Sequence, residues 1–172
     1  GSYLLEWGRR EVFGQVYELD LHSNSQRRML FSGGKPVVIM IVAGKKKKKK
    51  KGGGGGGGAA AQTRGAERMG ALRAAKAWIG RYGVESANFF LGDADTHANV
   101  LGEFGLRKKD CPIAMVHHVH REGAPMYVMN RRTNRHAEWT SRRILRFLSK
   151  VQKGKVKKIG SKGLRSRRFG GL

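Results

Sequence analysis

A chain of 172 residues holds 36 Lys and Arg against 12 Asp and Glu, a formal charge of +24, of which the lysine run at 45–51 supplies only seven. Charge so dense and so widely spread calls for a polyanion: nucleic acid first, an anionic membrane surface second, an acidic protein third. The single cysteine, Cys111, excludes an intrachain disulfide, a cysteine-based metal cage and thiol–disulfide exchange, which needs a second thiol to resolve the mixed disulfide; no apolar stretch approaches the roughly 18–20 residues of a bilayer span.

Residues 1–14 mix Tyr3, Leu4, Leu5, Trp7, Val12 and Phe13 with charges, without a period, and read as an N-terminal extension. The start at Gly1-Ser2 fits either a removed targeting segment or a cloning scar. In residues 15–21, Val16, Glu18 and Asp20 alternate with Tyr17, Leu19 and Leu21, the pattern of a strand with one buried face. His22-Ser23-Asn24 then offers caps for a short helix over 25–31, ended by Gly33-Gly34. The run VVIMIV at 37–42 predicts a central strand buried on both faces. Lysines at 45–51, glycines at 52–58 and alanines at 59–61 cannot encode a packed core, so 45–65 reads as an insertion loop. A helix is expected over 66–82 with Met69, Leu72, Ala75, Ile79 and Tyr82 near one face.

A strand over 86–91 follows, stopped by Gly92-Asp93-Ala94-Asp95; Thr96 then caps a helix with Val100, Leu101, Phe104 and Leu106 as apolar positions. Pro112 lacks an amide donor and belongs at the entrance of the next strand. Residues 113–119 and 126–129, joined by the polar connector 120–125, predict an antiparallel hairpin. After a basic connector at 130–138, Thr140 or Ser141 caps a helix whose apolar face is Ile144, Leu145, Phe147, Leu148 and Val151. Residues 154–172 form a basic tail without an acidic residue.

The order strand, helix, strand, helix, strand, helix, hairpin, helix is that of an α/β thioredoxin-like fold, a central mixed sheet flanked by helices over 15–153. The motifs narrow it further. GDADTHANVLGEFGLRKKDCPIAMV at 92–116, followed by TSRRILRFLSKVQKGKVKKIGS at 140–161, resembles the non-catalytic thioredoxin-like domains of the protein disulfide isomerase family. There a D-x-D strand end, an EFGL helix end, a CP before the fourth strand and an I-x-x-F…GK-K closing helix recur in this order. The resemblance implies a cis bond at Cys111-Pro112, on the substrate-facing edge. It also implies that the Cys-x-x-Cys position of catalytic members, just after the central strand, is held here by Ala43-Gly44 and the lysine run.

The remaining chemistry-bearing residues have plain readings. Cys111 reads as a small apolar residue at a strand start, and Asp93 and Asp95 as a capped strand-to-helix turn. His117, His118 and His120 lack further ligands at zinc spacing, which His97 or His136 would supply only through the fold, so phosphate or solvent contact is the better expectation. The glycine run lacks the spaced Gly-Lys-Ser/Thr arrangement of a phosphate loop. The cations of the second half carry the stronger signal. Lys108, Lys109, Arg131, Arg132 and Arg135 precede the last helix; Arg142, Arg143, Arg146, Lys150 and Lys153 lie along it. Lys155, Lys157, Lys158, Lys162, Arg165, Arg167 and Arg168 follow in the tail. Aromatic residues are too sparse there for stacking on single strands, which favours structured RNA.

Together these features predict a non-enzymatic structural component of a large ribonucleoprotein. In whole-chain character it resembles a mitochondrial ribosomal protein, with rRNA and neighbouring ribosomal proteins as partners and the mitochondrial matrix as its place. No cofactor, metal, DNA, membrane span or homo-oligomer is expected. The alternative is a redox-inactive, peptide-binding domain of the protein disulfide isomerase kind, working near Pro112. A membrane-surface adaptor would need an amphipathic helix with large aromatics on one side, which the chain lacks.

Overall fold

Six consecutive apolar residues, all but Met40 β-branched, cannot present either face to water. The strand they form, β2 (Val37–Val42), is buried at every position. The computed structural model describes residues 16–44, 57–129 and 139–158, without the side chains of 57–63. With β1 (Val16–Glu18), β3 (Asn88–Asp93), β4 (Ile113–His117) and β5 (Met126–Val128), β2 builds a five-stranded sheet in the order β1-β3-β2-β4-β5. β3 runs parallel to β1 and β2, whereas β4 is antiparallel to β2 and β5 to β4. The helices α1 (Asn24–Ser32), α2 (Gly57–Tyr82) and α3 (Ala98–Glu103) separate the first four strands, and α4 (Ser141–Gln152) closes the chain's order. That is a thioredoxin-like α/β fold.

Alternation along the strands splits the core in two. Val38, Met40, Val42, Phe89, Leu91, Ala114 and Val116 face the layer that holds α2 and α4. Val37, Ile39, Ile41, Phe90, Ile113 and Met115 face the layer of α1 and α3. Side chains such as Phe89 and Phe90 are fully buried, each contributing about 1.5–3 kcal/mol of transfer free energy.

The local devices are legible residue by residue. Ser23 caps α1 by accepting the Gln26 amide at 3.4 Å. The Gln26 side chain then donates to the Glu18 carbonyl and accepts from the Asp20 amide, both at 2.8 Å, tying the helix start to the end of β1. The strand expected to reach residue 21 ends at Glu18, and beyond it the Leu19 amide makes one more bond to β3, to the Leu91 carbonyl at 2.8 Å. Thr140 caps α4 by accepting the Arg143 amide at 3.2 Å. The EFGL motif is a left-handed helix stop: Gly105 has φ 68°, and the Leu106 amide reaches back to the Leu101 carbonyl at 2.7 Å and the Gly105 amide to Gly102 at 3.1 Å. Gly154, at φ 66°, ends α4 the same way.

Several elements differ from the sequence expectation. α2 begins at Gly57, so residues 57–65 belong to the helix rather than to the insertion loop. Its buried face is Glu67, Ala71, Ala74, Ala75 and Trp78, while Met69 and Tyr82 are 45% and 37% exposed. The alanines let the helix approach the sheet and α4 closely, and long side chains turn outward. β3 does not stop at Leu91 but continues through Gly92 and Asp93, which pair with Ile41 and Val42. Thr96 does not cap α3, whose N-cap is His97 without a side-chain bond; the Thr96 hydroxyl donates instead to Asp93 at 2.9 Å. β4 ends at His117, where the His118 amide turns back to the Pro125 carbonyl at 3.0 Å.

Glu67, buried on α2, holds the end of β2 in place. Its Oε2 accepts the Ala43 amide at 2.9 Å, and its carbonyl accepts the Trp139 indole N–H at 2.8 Å. Glu67→Ala leaves the Ala43 donor unpaired and is expected to cost about 1–3 kcal/mol. Urea denaturation measures this, and Glu67→Gln, which keeps the acceptor, should recover most of the loss.

Candidate functional site

The site follows from the two strand ends that a thioredoxin-like sheet brings together, the exit of β2 and the entrance of β4. The Cys111-Pro112 peptide bond is cis. Cys111 is 6% exposed and packs in the α1/α3 layer with Ile113 and Met115. Its amide donates to the Lys108 carbonyl at 3.2 Å, closing the short helical turn Lys108–Asp110. A thiol buried this far behaves as a small apolar group.

Past β2, Ala43-Gly44 meets the acidic turn that follows β3. Asp93 accepts from the Asp95 amide at 3.0 Å and from the Thr96 amide and hydroxyl at 2.9 Å. Burial pushes its carboxyl up, but these hydrogen bonds and nearby His97 outweigh it and hold the pKa below the ordinary value. Asp95 stands directly over Gly44, where a Cβ would lie 2.4 Å from Oδ1. A larger residue at Gly44 would have to turn this exposed carboxylate aside.

Lys108 and Lys109 are exposed on the turn before Cys111, and Lys108 Nζ lies 3.4 Å from Asp95. Arg142, Arg146, Lys150 and Lys153 are exposed along α4, with Arg143 half-buried; Lys155, Lys157 and Lys158 continue the exposed cationic surface. Among the described residues three ion pairs form, Lys35–Glu85 at 2.6 Å, Arg68–Glu18 and Lys108–Asp95, none of them with Arg142, Arg146 or Lys150. The fold thus gathers the α4 cations on one element and leaves Lys108 and Lys109 on another. Arg131, Arg132, Arg135, Lys162, Arg165, Arg167 and Arg168 lie outside the described residues.

The histidines separate as well. His117 ends β4 and His118 is buried at 6% exposure, while His120 is exposed. Among the described residues no group of three or more His, Cys, Asp and Glu is placed to hold a metal ion. Burial, reinforced by Arg121, His120 and His117, pushes the His118 pKa down to about 4. Burial also lowers that of His117, opposed by a hydrogen bond with the Ala124 backbone. A folded-state pKa below the unfolded value means that protonation favours unfolding. Stability is therefore full above the unfolded value of about 6.5 and falls as the pH drops toward 4, with a slope of up to about 1.4 kcal/mol per pH unit from His118. Denaturant midpoints between these limits check this, and His118→Gln should flatten the slope.

Trp78, Arg121 and Glu67 were not singled out by the sequence pattern. A period of alanines with one tryptophan on the same helical face was the available signal for Trp78; nothing local marks Arg121. No helix among the described residues is long and apolar enough to cross a membrane.

No protein-family model matches the chain, and no curated protein matches it. Among solved structures it is similar to the bb fragment of ERp72, at 16% identity and a TM-score of 0.49, covering 83% of this chain and 51% of that one. It is also similar to the zinc-bound form of human ERp44, at 14% identity and a TM-score of 0.44, covering 83% of this chain and 31% of that one. Both are thioredoxin-like structures of the protein disulfide isomerase family. The chain spans about half the length of the first and about a third of the second.

Proposed function

We propose that this chain is a redox-inactive thioredoxin-like domain that binds polypeptide and catalyses nothing. The observation that carries the reading is the pairing of the two strand ends. Pro112 opens β4 beside the exit of β2, where Ala43 and Gly44 stand in the place of a cysteine pair. The exposed Lys108 and Lys109 on the turn that leads into this strand end favour a segment bearing carboxylates. The test measures two activities at once. The chain should suppress aggregation of an acidic, disulfide-bonded protein as dithiothreitol unfolds it and should not accelerate the reduction of its disulfides. Faster disulfide reduction, or no effect on aggregation at stoichiometric ratios, contradicts the reading.

The α4 surface supports a second reading. Arg142, Arg146, Lys150 and Lys153 at helical spacing, continuing into Lys155, Lys157 and Lys158, form a track suited to phosphates. In that reading the domain is a structural, RNA-contacting part of a large ribonucleoprotein such as a mitochondrial ribosome, packed against rRNA and neighbouring proteins. Binding to structured RNA with a steep salt dependence, surviving competition by unfolded polypeptide, is the result that would favour it.

A further inference from the structure

A cavity of about 320 Å³ opens between α2, α4 and the sheet, at the end of β4 opposite to Pro112. Val38, Val116 and Leu148 give it apolar walls; Trp78, His118 and Arg121 also line it. All these apolar residues belong to the α2/α4 layer, whereas Cys111 packs in the other. The cavity is thus separate from the proposed peptide edge in both face and end.

Two of its polar side chains lack partners. Trp78 is 7% exposed and His118 6%, yet the indole Nε1 and both imidazole nitrogens have no hydrogen bond among the described residues. The nearest rings to His118, Tyr127 edge-on and His120 tilted, stand 5.5 Å away between centroids and provide ring contact only. A buried polar group left unpaired is costly, and an orphan in the wall of a cavity is paired by whatever fills it. The indole can only donate. Among the described residues the one charged residue lining the cavity is the cation Arg121, and no carboxylate lines it. The occupant must therefore bring acceptors, preferably anionic ones, on an apolar body.

We propose that this cavity binds a small monocarboxylate with an aromatic or branched aliphatic body. A dry 150 Å³ cavity holds benzene, so the space suits a body and head of about ten to fifteen heavy atoms. The carboxylate accepts from the Trp78 indole and a His118 N–H, with Arg121 supplying the countercharge, and the body fills the space between Val38, Val116 and Leu148. The low His118 pKa keeps the imidazole neutral, with one N–H to give to the carboxylate.

Calorimetric titration with naphthoate, naphthylmethanol and naphthylmethylammonium tests head-group preference on one apolar body. Naphthoate should bind with one-to-one stoichiometry at least about tenfold tighter than the alcohol, with the ammonium weakest. The Trp78 indole N–H resonance should move on adding naphthoate. Arg121→Gln, on an exposed side chain, should weaken naphthoate about fivefold or more and leave the alcohol within about twofold. Trp78→Phe should weaken the carboxylate while keeping the ring. The proposal is overturned if naphthoate shows no saturable binding up to about 1 mM, if the three head groups bind alike, or if both variants leave naphthoate affinity unchanged, which would place it on the basic surface instead.

Discussion

Gly92→Ala is expected to destabilise the chain by roughly 3–5 kcal/mol, the sum of overpacking and broken buried hydrogen bonds. A Cβ at Gly92 would lie 2.7 Å from His97 Nδ1 and 3.0 Å from Cε1. The ring has no easy retreat. Its Nε2 donates to the Leu19 carbonyl at 2.7 Å, and its Nδ1 accepts the Asp93 amide at 3.1 Å. His97 is 8% exposed, so it clamps the exit of β1 to the end of β3 from inside the structure. The methyl group must either displace this ring or push apart strands that pair at Ile41 and Gly92. A double-mutant cycle with His97→Ala separates the causes: each single change should be costly, and the double variant should be less destabilised than the two added together. Simple additivity by urea denaturation would show that the two residues do not share the same space.

Reversing charge along α4 should have the largest effect on binding. Arg142→Glu, Arg146→Glu and Lys150→Glu together replace three exposed cations on one helical face. Affinity for a polyanion such as heparin or structured RNA is expected to fall about a hundredfold or more at low salt. The slope of log affinity against log salt should shrink by roughly two to three. Thermal stability should change little, because the buried face of Ile144, Phe147, Leu148 and Val151 is untouched. Binding that survives the triple change would make this stripe a solvated face with no partner.

How much of this was legible depended on whether a residue's role was local. β2 announced itself through six apolar residues in a row, and α4 through Thr140 followed by apolar positions at helical spacing. The Cys111-Pro112 entrance to β4 and the EFGL stop at Gly105 are likewise local events. Gly92 was misread as a strand terminator because glycine marks turns in general; its place inside β3 is explained by the His97 ring that occupies the space of its missing side chain. The face of α2 was misjudged because alanines carry little hydropathy, yet three of them bring the helix close enough to bury Trp78. Asp93 ends β3 rather than lying in the turn, though its carboxylate does hold the turn at Asp95 and Thr96; the approach of Asp95 to Gly44 spans 51 positions and leaves no local trace. The same holds for the cavity, whose lining runs from Pro36 to Gln152.

The central claim, that this redox-silent domain binds polypeptide, is tested most directly by competition. The purified chain is loaded with a labelled acidic unfolded polypeptide and challenged with structured RNA across a salt series. If apolar and backbone contacts at the Pro112 edge hold the peptide, its binding should persist at about 0.3 M salt, where exposed charges are screened and RNA no longer competes. Displacement of the peptide by RNA at every salt concentration, with no peptide retained at the highest, would contradict the account and move the function to the cationic surface of α4.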